Sequence, residues 1–423
     1  MHPFLLSDEF SPLLKKPFQI HGTIKNYSWG KKGPEAFIPH WLGIKPSPKN
    51  FYAEIWFGAY PTNSSQIQNI KKQNLSLFDV LKKYPKDLLG LPILKKWGKE
   101  LPILIKILDA NQPLSIQTHP AQEQAKIGFK KENKQKIPLD SNSRTYKDSN
   151  EKTEQIIALT DFYALSQFLN LSKILKNFKK HTELNFLTQK LVQQIQNNPK
   201  TAIKFFYQDI MTLPQTQINS ILIPWIQNLQ NKNKSKSFSK LIPEYWILKA
   251  DSIFCNSKEK DRGLIAFIML YLVYLKPTQS LLVKPGTIHS YLEGSGIEIM
   301  TNSDNTLRCG LTTKPIQVQE LLKALSYQPK KPKIIIQTKN KQNDKSNQTL
   351  FKIYQFQNKN NETVQIDNQK KFEILLIIKG KAELISNNIK IDIKTGQCLF
   401  VPATIEKYSI KTKQKSLIYR ITV

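Results

Sequence analysis

Apolar and polar positions change rhythm several times along this chain. From Phe18 to about Thr160, short runs of the strand type are separated by turn residues, as in "FQIHGTIKNYSWG", "YAEIWFG" and "LPILIKILDANQPLSIQTHP". From Phe162 to about Lys260 the apolar residues recur every three or four positions, as in "ALSQFLNLSKILKNF", "FLTQKLVQQIQNN" and "INSILIPWIQNLQ", which predicts helices. A lysine-rich stretch within this region, Asn231 to Lys240, is expected to be an exposed loop. Strand signals return from Gly263 to about Leu321 with "QSLLVKPGTIHSYL" and "GIEIMTNSDN". Beyond a polar linker around Asn340 to Asn347, "KFEILLIIKGKAELISNNIKIDIKTGQCLFVPAT" alternates like a β-sandwich. The order β, α, β then implies one β domain interrupted by a helical insertion, with a second β domain after it. No solenoid-like repeat is evident.

Length supports that division, because a chain of 423 residues exceeds what one core usually serves. Hydrophobic residues at 40% and aromatics at 10% mark globular material. The longest apolar run, Leu264 to Leu275, is shorter than the ~20 residues of a spanning helix and fits a buried core segment. The opening "MHPFLLSDEFSPLLKK" lacks a basic head followed by a long apolar run, so a soluble cytoplasmic protein without a membrane partner is expected. Cys255, Cys309 and Cys398 lie far apart, which argues against a disulfide framework or a thiolate zinc site. The net charge of +31 invites a nucleic-acid partner. However, the lysines are spread along the whole chain among Asn and Gln, with little arginine and no recognised nucleic-acid-binding motif, so none is expected. A global positive field would still concentrate a small anionic substrate.

Candidate chemistry begins in "PLSIQTHP". Residues two apart in a strand share a face, so Gln117 and His119 point the same way, which suits either a two-point grip on an ion or a hydrogen-bonded structural pair. His289 and Tyr291 share a face in "KPGTIHSYL" by the same rule, and "DSNEKTE" offers Glu154. One amide oxygen, two imidazoles and one carboxylate make an N/O set suited to zinc, although either histidine could equally be a satisfied structural residue.

Several ordered blocks carry a resemblance. "NYSWG" looks like Asn-Tyr-x-Trp-Gly. "YAEIWFGAYP" looks like Ala-Glu-Leu-Trp-Met-Gly-x-His-Pro, with Tyr60 where histidine is usual. "DSNEKTE" resembles Asp-Pro-Asn-His-Lys-Pro-Glu, and "EIMTNSDNTLRCGLTTK" is close to Glu-x-Met-Ala-x-Ser-Asp-Asn-Val-x-Arg-x-Gly-Leu-Thr-Pro-Lys. Together with "LPILIKILDANQPLSIQTHP", they make the chain similar, over nearly its whole length, to the type I mannose-6-phosphate isomerases, zinc-dependent phosphomannose isomerases.

The resemblance implies a mainly β fold with an α insertion. A cupin-type jelly-roll catalytic domain would occupy residues 1–160 and 261–330, a helical insertion domain residues 161–260, and a second, smaller C-terminal jelly roll without metal residues 331–423. It implies that Gln117, His119, Glu154 and His289 hold one Zn2+ per chain, that Arg308 and Lys152 are catalytic, and that Ser115, Tyr291, Glu298, Asp304, Lys314 and Trp29 bind substrate. Lys106 lies in a matching motif. The implied activity is aldose-ketose isomerisation between D-mannose 6-phosphate and D-fructose 6-phosphate through an enediol-type intermediate, in a monomer acting on a small sugar phosphate. Such a reaction needs a base, an electrophile and a phosphate anchor. Arg308 offers bidentate donors, Lys314 a second cation and Lys152 a proton shuttle.

Other readings of these residues are structural. Lys152 could be one more solvated lysine, Cys309 reads as a small buried hydrophobe, and Glu298, between Ile297 and Ile299, could form an ion pair with Arg308 or Lys314. Some positions depart from the family pattern. Glu151 stands where histidine is usual, Thr153 and Thr313 replace prolines, and Thr278-Gln279 stands where Gly-Glu is favoured. None removes an implied ligand. Glu151 motivates an alternative, a catalytically impaired cupin that binds or senses a sugar phosphate, and an isomerase or epimerase for another phosphosugar is a further one.

Overall fold

In a computed structural model of the chain, the described residues are 13–336 and 350–423, apart from 62, 69–73, 142 and 359. The expected linker at Asn340 to Asn347 lies outside them. The chain divides into two compact units. One comprises residues 110–296 and 303–335, the other residues 1–109, 297–302 and 336–423. The fold class is mainly β with inserted helices, as the residue pattern implies.

The first unit holds the helices Leu171–Lys179, Asn185–Asn197, Ala202–Thr212, Gln215–Ser235 and Pro243–Phe254. They begin later than the apolar spacing suggests. Phe162–Phe168, expected to open the helical region, is a strand buried along most of its length, and it pairs antiparallel with Leu270–Leu275 from Phe162↔Leu275 to Phe168↔Leu270. Aromatic and apolar residues on both faces favour the strand, and Asn170 then starts the first helix by accepting from the Lys173 N–H. Asn231 to Lys240, expected as a loop, is helical up to Ser235. Leu264 to Leu275 is mostly buried, passing from a 3-10 turn through one helical turn into a strand. The helices pack around Trp225, Trp246, Phe206 and Phe178, all fully buried.

In the second unit a seven-stranded sheet runs in the order Lys352–Asn358, Ser416–Thr422, Glu373–Lys379, Cys398–Val401, Phe18–His21, Gln66–Gln68, Asn74–Ser76. A four-stranded sheet is built from Thr363–Asp367, Lys407–Thr412, Lys381–Ser386 and Ile389–Lys394. Leu375, Ile377, Leu384, Leu399, Ile410 and Ile418 fill the space between their inner faces. Phe18–His21, grouped by its sequence with the catalytic segment, pairs here with Cys398–Val401, and Phe18 stacks on Phe400 at 5.4 Å. Among the described residues, no helix is long and apolar enough to cross a membrane.

Candidate metal centre and active site

Three neighbouring strands of the first unit each bury one face and present polar groups on the other. Ile116, Ile288, Leu307 and Cys309 belong to the core formed with the helices. The residues between and beside them, Gln117, His289 and Arg308, therefore face the opposite way. The ladder aligns them, because Gln117 stands across from His289 on one side and from Arg308 on the other. Cross-strand neighbours sit about 5 Å apart at Cβ, so these three side chains form a row.

His119 follows the strand Ile116–Thr118, and Glu154 opens the strand Glu154–Ala158. Ligand atoms of His119, Glu154 and His289 lie within 4.8 Å of one another, and all three residues are buried. His119 Nδ1 donates to the Asn305 carbonyl at 2.8 Å, and His289 Nδ1 donates to the Thr287 carbonyl at 2.9 Å. A carbonyl only accepts, so each Nδ1 carries its proton and each Nε2 is turned inward. His119 Nε2 lies 3.1 Å from Glu154 Oε1, and His289 Nε2 lies 3.4 Å from Glu154 Oε2. Neither Nε2 meets hydrogen-bond geometry, although both are buried. Burial, reinforced by Lys152, lowers the His119 imidazole to about 4, so near neutral pH its Nε2 presents a lone pair to the carboxylate. Burial alone would raise the Glu154 carboxyl, but Lys152 and His119 outweigh it and hold it well below the usual carboxylate range. Two imidazole Nε2 atoms turned toward a buried carboxylate fit a divalent cation, and the N/O donor set suits zinc.

Other expected residues gather around this cluster. Lys152, buried, places Nζ 2.8 Å from Glu154 Oε1, so it is not a solvated lysine. The Tyr291 hydroxyl donates to Glu154 Oε2 at 3.4 Å. Arg308 Nη1 donates to Ser115 Oγ and, at 3.1 Å, to Gln117 Oε1, an oxygen with a second lone pair. Asp304 pairs with Lys147 at 2.8 Å. Lys314 is exposed, and its ammonium is lowered by partial burial and by the nearby charges of Arg308 and Lys147. Arg308 and Lys147 are thus charges felt by Lys314, with Asp304 opposing them, and Lys147 is a residue that the motifs did not single out. Its signal was its position one residue before Asp148 in "DSNEKTE", at the edge of the recognised block. Cys309 is a buried apolar contact, as expected.

Glu298 and Trp29 lie in the other unit. Glu298 is buried with Lys106 Nζ 3.0 Å away, a cation not coupled to it by the sequence reading. Lys106 also lies 3.9 Å from Glu54 and 4.9 Å from the centroid of the Trp56 ring. Trp29 is half-buried and stacks on Tyr27 at 5.8 Å.

Known proteins share this sequence and architecture. Residues 17–171 match the type I phosphomannose isomerase catalytic domain, and residues 348–420 match the mannose-6-phosphate isomerase cupin domain. The mannose-6-phosphate isomerase of Escherichia coli (strain K12) is 31% identical over 406 residues, covering 93% of this chain and 96% of that protein. Mannose-6-phosphate isomerase 1 of Arabidopsis thaliana is 26% identical, covering 95% and 93%. A crystal structure of phosphomannose isomerase from Salmonella typhimurium superposes with a TM-score of 0.81 at 26% identity, covering 96% of this chain and 99% of the other. A zinc-bound holo structure of mannose 6-phosphate isomerase aligns with the same score, identity and coverage. With close to a third of its residues shared across almost the whole of a relative, and with the same fold, this chain belongs to the type I mannose-6-phosphate isomerase family.

Proposed function

We propose that this protein is a zinc-dependent isomerase interconverting D-mannose 6-phosphate and D-fructose 6-phosphate, with the reaction at the His119–Glu154–His289 cluster. The observation that carries this reading is the pair of inward, unbonded imidazole Nε2 atoms around a buried carboxylate. Gln117, His119, Glu154 and His289 hold the metal, which supplies when bound a positive charge that polarises the substrate carbonyl.

The remaining work falls to the chain. Arg308, Lys314 and Lys147 receive the anionic substrate, with Asp304 restraining Lys147. Ser115 and Gln117 fix the Arg308 guanidinium, so its remaining donors present a rigid fork. Lys152, 2.8 Å from Glu154, is the side chain assigned to shuttling the proton between the carbon beside the carbonyl and its neighbour. Tyr291, edge-on to Phe162 at 5.5 Å, keeps the Glu154 carboxylate in one orientation through its hydroxyl. The enzyme works as a cytoplasmic monomer on a small sugar phosphate.

The test is a coupled assay for fructose 6-phosphate formed from mannose 6-phosphate, before and after chelation and with zinc added back. Turnover should vanish with chelator and return with zinc. His289→Ala should lose both zinc and activity. Lys152→Met should keep zinc and lose about 10²–10⁴-fold in kcat. Stoichiometric zinc without turnover would replace this reading with a sugar-phosphate binder, for which Glu151 in the place of histidine is the motive.

A further inference from the structure

Asn305 occupies a position that neither the row of polar side chains nor the metal cluster explains. It is fully buried and follows the turn residues Ser303 and Asp304. Its backbone carbonyl is the acceptor that fixes His119 Nδ1. Its side-chain oxygen accepts from the backbone N–H groups of Lys147, at 2.7 Å, and Asp148, at 3.2 Å. Its side-chain nitrogen donates to the carbonyls of Asp148 and Asn150, each at 2.9 Å, and to Asp148 Oδ1 at 3.1 Å. Every hydrogen-bonding position of one carboxamide is thus spent on the segment that runs directly into Lys152 and Glu154.

The surrounding groups close the arrangement. Ser303 Oγ donates to Asp148 Oδ1 at 2.9 Å and to the Asn150 carbonyl at 3.2 Å, and the Asp304 N–H donates to Asp148 Oδ2 at 2.8 Å. The turn 303–305 and the segment 147–150 are therefore bound to each other at several points, and Asn305 also accepts from His119. The turn also leads, three residues later, into Arg308.

We propose that Asn305 is a positioning residue that locks His119 to the segment carrying Lys147, Lys152 and Glu154, and so fixes the spacing between the metal ligands and the groups that act on the substrate. This rests on the isomerase reading for its effect on turnover, but its effect on metal binding stands independently. A shell of this kind orients ligands that a metal then finds ready-made.

Asn305→Asp tests it with little change in size. One carboxylate oxygen still accepts from Lys147 and Asp148, but the other faces the Asp148 and Asn150 carbonyls and the Asp148 carboxylate, all acceptors. Zinc affinity by chelator competition, kcat and KM at saturating zinc, and the thermal midpoint are measured on the same preparations. We expect zinc to bind about 10–100-fold more weakly, and kcat at saturation to fall about tenfold or more with KM within about threefold. Zinc affinity and kcat both within about twofold of wild type, whatever the midpoint does, would make Asn305 merely structural and overturn the proposal. Should Asn305→Asp not fold, Ser303→Ala loosens the same junction more gently. It should show the same split at about threefold, and unchanged zinc affinity and kcat there would equally overturn the proposal. Wild-type protein that binds zinc but does not isomerise mannose 6-phosphate would sink the functional reading, while weakened zinc binding in Asn305→Asp would still uphold the positioning role.

Discussion

Thr278 sits in the turn before the strand Gln279–Val283 with a φ of +74°, a conformation that a β-branched side chain rarely adopts. Its N–H donates to the Ala158 carbonyl at 2.8 Å, which ties the turn to the strand that Glu154 opens. Strain of this kind costs roughly 1–3 kcal/mol, and the extra freedom of an unfolded glycine gives back about 0.5–1 kcal/mol. Thr278→Gly should therefore raise the thermal midpoint by about 1–3 °C without changing turnover. A lowered midpoint would mean that neighbouring contacts of the threonine outweigh its backbone strain. The position was visible in the sequence as a departure from the family's Gly-Glu. Gln117 and His119, two residues apart, were equally visible through their spacing, and Lys152 and Glu154 through the "DSNEKTE" block that carries the resemblance. Asn305 was not. Its contact with His119 spans 186 positions and uses a backbone carbonyl, a group that every residue possesses.

At the scale of the element, the strand Glu373–Lys379 places an acid inside the C-terminal barrel. Leu375 and Ile377 face the barrel core, and Glu373, two residues before Leu375, shares that face. Arg420 Nε lies 2.9 Å from one carboxylate oxygen, and the Tyr408 hydroxyl donates to the other at 2.5 Å. Burial pushes the Glu373 carboxyl up to about 7 despite the opposing pull of Arg420 and Tyr408. An acid raised above its unfolded value, near ~4.3, keeps its proton longer in the folded state. Its contribution to stability is complete below the unfolded value and is lost as pH rises through about 7. That contribution is at most about 4 kcal/mol. The thermal midpoint should accordingly fall between about pH 5 and about pH 8, and Glu373→Gln should remove most of the fall. Parallel curves for the two proteins would mean that Glu373 is ionised throughout.

Strand identity within this barrel was legible from alternation, whereas strand partnership was not. Phe18–His21 reads as a strand on its own, but nothing in four residues names Cys398–Val401 as its neighbour. The pattern of Phe162–Phe168 suggests a helix for a related reason. A seven-residue stretch that is apolar on both faces satisfies either period, and the pairing with Leu270–Leu275 that decides the matter is remote in sequence.

For the whole molecule, the +31 net charge acts on encounter more than on folding. Isomerisation of a sugar phosphate should have a kcat/KM that declines about 3- to 10-fold between about 0.02 M and about 0.3 M salt, with kcat nearly constant. A flat profile would assign substrate capture to the local cations Arg308, Lys314 and Lys147 alone.

The helices between Phe168 and Leu270 leave and rejoin the chain at residues that face each other on one ladder. In connectivity they are an overgrown hairpin loop, the sort of addition that a lineage can gain or shed at little cost in chain closure. Yet their interior is also the reverse side of Gln117, His289 and Arg308, since Ile116, Ile288, Leu307 and Cys309 pack into it. A variant could therefore change the outer surface of this insertion, but one that lacked it would have to cover anew the back of the strands that carry Gln117, His289 and Arg308. Its inherited shape should drift in step with theirs.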